Sequence, residues 1–147
     1  MLEGIYPSYM VGIESAHYIK GMHNLMGSQF NLGNYQKLNA TLKDFEKFCN
    51  SKIVLQNHNN LIQCFIYHTI SQLNKHFLTG NFSDGLLLVE GIEEKLKEYE
   101  IYLDRHRILV IYYKIASMYF GTGNYETAID YLNKIINWKV DLRNDLQ

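Results

Sequence analysis

The chain has few prolines and cysteines and almost no net charge. It therefore has little that interrupts helices, cross-links secreted proteins or attracts polyanions. A single proline among 147 residues permits long uninterrupted helices. The two cysteines, Cys49 and Cys64, are too few for a disulfide framework and predict reduced, buried thiols. The formal net charge of −1 provides no basic field for a nucleic acid. Since no apolar run is long enough to span a membrane and no signal peptide is recognisable, we expect a cytoplasmic protein that binds neither nucleic acid nor membrane.

Sequence patterns of catalytic and cofactor sites are also missing. No Walker pattern, His-Glu-x-x-His pair or Cys-x-x-Cys pair occurs. The strongest chemical candidate is Cys64 with His68, which lie four residues apart on one helical face and could be a nucleophilic pair or two metal ligands. No carboxylate stands at a spacing that would orient the imidazole, and the neighbouring residues are apolar. We therefore interpret the pair as a buried thiol beside a hydrogen-bonded histidine, and predict no enzyme activity, no metal and no cofactor.

What the sequence does contain is an internal repeat. The pattern Phe-x-x-Gly-Asn-aromatic occurs three times at nearly constant spacing, over residues 30–35, 77–82 and 120–125. Glycine tolerates the left-handed conformation that ends a helix, and asparagine caps the helix that follows. Each copy therefore predicts a tight corner between two helices, centred on Gly33, Gly80 and Gly123.

Apolar residues recur every three or four positions on both sides of each corner, as amphipathic helices require. We predict an all-α fold in a single domain over residues 1–147, with the stretch 51–60 as a connector and a further helix beginning near Asp141. Because the chain ends as another repeat opens, we expect 138–147 to be the start of that repeat or a tail, and the chain to be a segment of a longer array. The six predicted helices cover roughly 9–31, 34–50, 59–78, 82–101, 105–121 and 124–137, which pair into repeats of about 9–50, 59–101 and 105–137.

The third copy resembles a tetratricopeptide repeat. Tyr112, Ala116 and Tyr119 stand where that family has a large, a small and an aromatic residue in its first helix, and Ala128 follows the Gly-Asn-Tyr corner as the small residue of the second helix. Gly85 keeps that small position in the second copy, whereas the first copy has larger residues there. The spacing exceeds the roughly 34 residues of the family. The chain is therefore similar to the longer, degenerate tetratricopeptide-like repeats common in bacterial regulatory proteins.

The resemblance implies an α-solenoid of about three antiparallel helix pairs, whose first helices line a concave groove that binds a partner. The helix positions that line the groove in that family, transferred to this chain, hold apolar and aromatic residues with sparse polar groups. This composition is typical of contact surfaces. Three phenylalanines in the set could equally well pack inside the repeat corners, because each stands at a fixed distance from Gly-Asn. The selected residues are Lys20, His23, Phe30, Tyr67, Ile70, Asn74, Phe77, Val110, Tyr113, Ser117 and Phe120.

Two functions of different class follow from this architecture. The first is a non-catalytic scaffold that binds a protein or peptide on its concave face, within a larger regulatory or assembly protein. There Lys20, Tyr67 and Tyr113 would form one exposed strip. The second is a structural module whose helices pack on neighbouring repeats or on a second copy of the chain as a homo-oligomer. Aromatic residues that stay exposed in a monomer favour binding, whereas their burial in a symmetric dimer favours self-assembly.

Overall fold

The computed structural model of the chain describes the backbone of residues 8–145 and the side chains of residues 12–138. All regular structure within these residues is helical, and no strand occurs among them. The prediction of an all-helical fold is therefore confirmed. The helices are α1 (Ser8–Asn31), α2 (Tyr35–Cys49), the single-turn α3 (Lys52–Leu55), α4 (His58–Thr79), α5 (Phe82–Leu86), α6 (Val89–Glu98), α7 (Arg105–Gly121) and α8 (Tyr125–Asp145), with a 3₁₀ turn at Glu100–Tyr102.

The three corners have the geometry that the repeated pattern predicts. Gly33, Gly80 and Gly123 have φ angles of +68°, +70° and +80°. At each corner the glycine N–H donates to the carbonyl of the phenylalanine of the pattern, and the asparagine N–H donates to the carbonyl of the residue before that phenylalanine. This pair of bonds is the Schellman motif, which satisfies carbonyl groups that the end of a helix leaves without partners. The predicted corners are confirmed at all three positions.

The asparagines of the corners differ in how they cap the next helix. The Asn34 side-chain oxygen accepts a hydrogen bond from the Lys37 N–H at 3.1 Å. The Asn124 oxygen accepts one from the Thr127 N–H at 3.4 Å, which is a longer and weaker bond. Asn81 makes no side-chain capping bond. The predicted cap is therefore confirmed for α2 and α8 and wrong for α5.

The helix predicted over 82–101 is divided into two shorter ones. α5 ends at Leu86 and α6 begins at Val89. Between them the N–H groups of Leu87 and Leu88 bond to carbonyls three residues back, a 3₁₀ pattern that interrupts the α-helical ladder. Gly85 lowers the helix propensity of this segment, because glycine loses more backbone entropy than other residues when it becomes helical.

Two further boundaries differ from those predicted. The connector predicted over 51–60 contains the single turn of α3, which packs against α1 and α2 and fully buries Val54. At the other end, α8 continues through Asp145, so no separate helix begins near Asp141. No glycine or proline follows Gly123, and nothing in the sequence therefore breaks this helix. Residues 146 and 147, which belong to the predicted opening of a fourth repeat, lie outside the described residues.

The chain divides into two compact units, one ending at Lys75 and the other beginning at His76. In the first unit α1 packs against α2 and α3, and in the second α7 packs against α5 and α8. The prediction of a single domain stays a prediction. Fully or nearly fully buried apolar side chains of the first unit include Ile19, Met26, Leu38, Leu42, Phe45, Val54, Ile66 and Leu73, and those of the second include Ile92, Leu96, Ile111, Ile115, Met118 and Ala128.

Small residues lie where helices approach each other closely in the second unit. Ala116 and Ala128 are 4% and 1% exposed. A Cβ atom at Gly85 would overlap the sulfur of Met118. A Cβ atom at Gly121 would overlap the ring of Phe82, so this ring lies directly on the backbone at the end of α7. The contact of Gly121 with α5 was not predicted from the sequence.

We expect Gly123→Val to lower the free energy of unfolding by about 1–2 kcal/mol, because a β-branched residue resists the left-handed conformation. The space at the corner is not limiting, since a Cβ atom there would meet no atom within 4 Å. Gly123→Asn is the matched control and should cost less, because asparagine tolerates this conformation. Urea denaturation followed by circular dichroism measures both. Equal midpoints for the two variants and the wild type would contradict the role assigned to Gly123.

Candidate functional site

Four of the predicted groove residues come together in one pocket of the second unit. Phe77, Tyr113, Ser117 and Phe120 line a cavity of about 250 Å³ with Ala116, Ala128 and Leu132. The aromatic residues of this pocket are largely exposed, with values of 47% for Phe77, 57% for Tyr113 and 63% for Phe120. The cavity is smaller than the roughly 300–1,000 Å³ of small-molecule sites. Its size and lining fit one or two apolar side chains of another chain better than a cofactor.

Helical spacing explains why these side chains converge. Tyr113, Ala116, Ser117 and Phe120 stand at positions i, i+3, i+4 and i+7 of α7, which share one face. Ala128 and Leu132 of α8 stand four residues apart and line the same cavity. Because Ala116 and Ala128 are small and buried, they form the floor of the pocket, and the larger side chains form its rim.

Phe77 and Phe120 also pack locally at their corners. The Phe77 and Phe82 ring centroids are 6.1 Å apart, and the Phe120 and Tyr125 centroids are 4.9 Å apart, both pairs in edge-to-face geometry. Such pairs favour a fixed ring orientation. Each ring therefore packs at its corner and still presents surface to the pocket, and its role in a binding groove stays a prediction.

The polar character of the pocket comes from Ser117 and from the rim. The Ser117 hydroxyl donates its proton to the Tyr113 carbonyl at 3.0 Å, one helical turn back. Its oxygen therefore remains available as an acceptor. The Tyr113 hydroxyl stands on an exposed ring and can donate or accept. A ligand with an apolar side chain and a nearby N–H group matches this arrangement.

Three predicted groove residues of the first unit form a separate cluster. The rings of His23 and Tyr67 stack with centroids 3.9 Å apart and planes 12° apart. The Lys20 Nζ atom lies 5.7 Å from the Tyr67 centroid, within the range of a cation–π interaction. Tyr67 is only 5% exposed, so the prediction that it is an exposed anchor is wrong. Its ring is used inside the protein, as the surface on which His23 stacks.

The remaining predicted groove residues do not form an exposed strip. Ile70 and Asn74 are 6% and 5% exposed, and Phe30 and Val110 are half-buried. The physical reason lies in α4, which buries residues around more than one face, including Ile66 and Leu73. The positions transferred from the family therefore could not distinguish the exposed residues of α4 from its core residues.

A second cavity of the second unit, of about 600 Å³, has an acidic lining. One of its carboxylates, Glu93, accepts a hydrogen bond from the Tyr131 hydroxyl at 2.8 Å. Burial and then this bond raise the pKa of Tyr131 well above its usual value, and Lys134 Nζ lies 4.6 Å from the Tyr131 centroid. Burial is also the main cause that raises the pKa of Tyr112, which lines the same cavity. Glu93 thus helps to hold α6 against α8, and sequence spacing gave no sign of this contact.

The Cys64–His68 pair has a carboxylate neighbour that the sequence did not reveal. Glu46 of α2 places its Oε1 atom 2.9 Å from His68 Nε2, although the two residues are 22 positions apart. The interpretation of His68 as a hydrogen-bonded histidine is therefore confirmed, and its partner is a carboxylate that spacing along the sequence could not identify. Cys64 is buried as predicted, whereas Cys49 is only half-buried. A hydrogen bond with Cys64, and then burial, raise the pKa of the Cys49 thiol far above its usual value.

Neither a metal-binding cluster nor a membrane-spanning helix occurs among the residues that the structure describes. No group of three His, Cys, Asp or Glu side chains there is arranged to hold a metal ion. No helix between Ser8 and Asp145 combines the length and apolarity needed to cross a membrane. Comparisons of the chain with protein-family models, with curated proteins and with solved structures found no match.

Proposed function

We propose that the chain is an α-solenoid of tetratricopeptide-like repeats that acts as a non-catalytic scaffold for a protein or peptide, within a larger regulatory or assembly protein. The observation that carries the proposal is the pocket of the second unit, where the exposed rings of Phe77, Tyr113 and Phe120 surround a floor of small residues. Binding energy at protein interfaces concentrates where large apolar side chains are desolvated in such pockets. A pocket of this kind is unusual on a surface that only faces water.

The proposed repeat architecture is supported by the corners and by the small residues. The same Schellman pair of hydrogen bonds recurs at Gly33, Gly80 and Gly123. Ala116 and Ala128 are buried at the positions where the family has small residues, and this lets α7 and α8 approach closely. In this architecture the pocket belongs to the face formed by the first helices, which is the face that such proteins use for binding.

The pocket fits a peptide segment that inserts an apolar side chain. The side chain would lie over Ala116 and Ala128 between the rings of Tyr113 and Phe120. Next to it, a backbone N–H of the peptide would reach the acceptor oxygen of Ser117. The aromatic rim excludes water from the inserted group and so strengthens both contacts.

Selection of a displayed random-peptide library against the full chain supplies ligands for the test, and calorimetry measures their affinity. We expect Tyr113→Ala to weaken binding by about 2 kcal/mol or more, which is roughly 30-fold. Tyr102→Ala is the matched control, because Tyr102 is also 57% exposed, belongs to the same unit and does not line the pocket. Ser117→Phe should also abolish binding, since it fills the cavity. Ligands that bind all these variants as tightly as the wild type would refute the assignment of the pocket.

Self-assembly is the second candidate, and exposed apolar side chains outside the pocket favour it. Leu32, Leu87 and Ile101 are 82%, 80% and 84% exposed. Large apolar residues at such exposure carry a solubility cost unless another surface covers them. Sedimentation velocity over a range of concentrations distinguishes the two functions. A dimer that Tyr113→Ala dissociates would assign the pocket to self-association, whereas a monomer at all concentrations leaves the pocket free for another chain.

A further inference from the structure

A third cavity of the second unit, which we call the Trp138 cavity, combines apolar walls with two basic side chains. Its volume is about 390 Å³, within the roughly 300–1,000 Å³ of small-molecule sites. It shares no lining residue with the pocket that contains Tyr113 and Ser117. The Trp138 cavity is therefore a second candidate site, and its ligand does not depend on the proposed scaffold function.

Two helix faces supply most of the cavity wall. Its residues on α7 stand at positions i, i+3, i+4 and i+7 and so share one face of that helix. They are Arg105, Ile108, Leu109 and Tyr112. On α8, Trp138 follows Lys134 by four positions, so these two side chains share a face as well. Because α7 packs against α8, the two faces meet on regular structure.

The Trp138 cavity has a surplus of one positive charge. Arg105 and Lys134 line it together with a single carboxylate, that of Glu100. Within residues 12–138, no carboxylate lies at ion-pair distance from either cation. Lys134 Nζ instead lies 5.2 Å from the ring centroid of Tyr112, which itself lines the cavity. A ring face attracts the ammonium charge and leaves N–H donors for an anion.

Large apolar side chains of the cavity remain open to solvent. Ile101 is 84% exposed, and Ile108, Leu109 and Trp138 are only half-buried. Apolar surface of this kind carries a solubility cost unless something covers it. An apolar ligand body would cover these side chains and leave water itself, which strengthens binding by about fourfold for each buried methylene group.

We infer that the Trp138 cavity binds a small amphipathic monocarboxylate, a molecule with an apolar chain or ring and one carboxylate. The apolar body lies against Leu109 and Trp138, and the carboxylate is attracted to Arg105 and Lys134. One negative charge matches the surplus charge of the cavity. A phosphate monoester carries more than one at neutral pH, and its second charge would be repelled by Glu100.

The test uses Trp138 as its reporter, because it is the only tryptophan of the chain. The probes are octanoate and octylammonium, which have the same chain length and opposite charges. We expect octanoate to shift the fluorescence emission of the full chain to shorter wavelength with a saturable dependence on concentration. Octylammonium should bind about tenfold more weakly or worse. Heptanoate and hexanoate should each lose about fourfold in affinity for every methylene removed.

Four substitutions and a control assign the binding to this cavity. Arg105→Gln and Lys134→Gln should each weaken octanoate binding about fivefold, whereas Glu100→Gln should strengthen it by a similar factor. Lys95→Gln is the matched control and should leave the affinity unchanged, because Lys95 belongs to the same unit and does not line the cavity. Tyr113→Ala should also leave it unchanged, which separates this site from the proposed peptide pocket.

Three results would overturn the inference. They are no saturable change in Trp138 emission below the concentration at which octanoate forms micelles, equal affinities for octanoate and octylammonium, and an unchanged octanoate affinity in both cation variants. Lys134→Gln removes two cation–π contacts, and circular dichroism establishes whether it is folded. Arg105 is exposed and Arg105→Gln breaks no ion pair with the described residues, so this variant decides even if Lys134→Gln does not fold.

Discussion

Phe45→Ala is expected to lower the free energy of unfolding of the first unit by about 3–5 kcal/mol, the largest effect that we predict for a single substitution. Phe45 is fully buried, and it shares the buried face of α2 with Leu38 and Leu42. Truncation removes the transfer free energy of the ring and leaves a cavity that rigid helices fill only in part. Urea denaturation followed by circular dichroism, with hydrogen exchange to locate the change, measures the effect.

Phe48→Ala in the same helix is the matched control for Phe45→Ala. Phe48 is half-buried, and its ring lies 4.5 Å from that of Tyr18, centroid to centroid. Its truncation loses less buried area and one aromatic pair, so we expect a cost of about 1–2 kcal/mol. A loss from Phe48→Ala that equals or exceeds the loss from Phe45→Ala would mean that α2 buries a different face.

The corners were predictable from the sequence because their physics is local. The glycine, the asparagine and the carbonyls that accept their N–H groups lie within six consecutive residues. A left-handed glycine at Gly33, Gly80 or Gly123 therefore depends little on distant packing. The break between α5 and α6 was not predicted, because it depends on a local weakening of the helix and not on periodicity. Periodicity shows which residues share a face, but it is insensitive to a single weakened turn around Gly85.

Contacts between helices were not predictable, because spacing along the chain does not identify partners across space. His68 and Glu46 are 22 positions apart, and Tyr131 and Glu93 are 38 positions apart. Each pair joins two helices, and no motif links its members in the sequence. The Cys64–His68 pair was accordingly found in the sequence without the carboxylate that lies beside it.

The predicted groove positions agree better with the exposed surface on α7, where the repeat pattern is clearest, than on α4. On α7 the predicted positions Tyr113, Ser117 and Phe120 share an exposed face and line one pocket. On α4 the same phase selected Tyr67 and Ile70, which are buried. The helix positions transferred from the family identify one face of a helix. Whether that face is exposed depends on how much of the helix its neighbours cover.

Gly121→Ala is expected to lower the free energy of unfolding of the second unit by about 2–3 kcal/mol, near the upper end of what overpacking costs. The new Cβ atom would overlap the ring of Phe82 at its first carbon. That carbon is close to the backbone of α5, so the ring cannot swing aside as the end of a flexible side chain would. Gly91→Ala is the matched control. A Cβ atom there meets nothing within 4 Å, so the better helix former should stabilise α6 by about 0.5–1 kcal/mol.

A double substitution tests whether the cost of Gly121→Ala arises from Phe82. Phe82→Ala removes the ring carbons that the new Cβ atom would overlap, so we expect Gly121→Ala to cost little in that background. The two changes should therefore be strongly non-additive, with a coupling energy of about 1–2 kcal/mol in a double-mutant cycle followed by urea denaturation. Additive losses would place the cost in the backbone of Gly121 instead. They would also mean that the ring of Phe82 is not what limits the space between α5 and α7, although the two helices pack together.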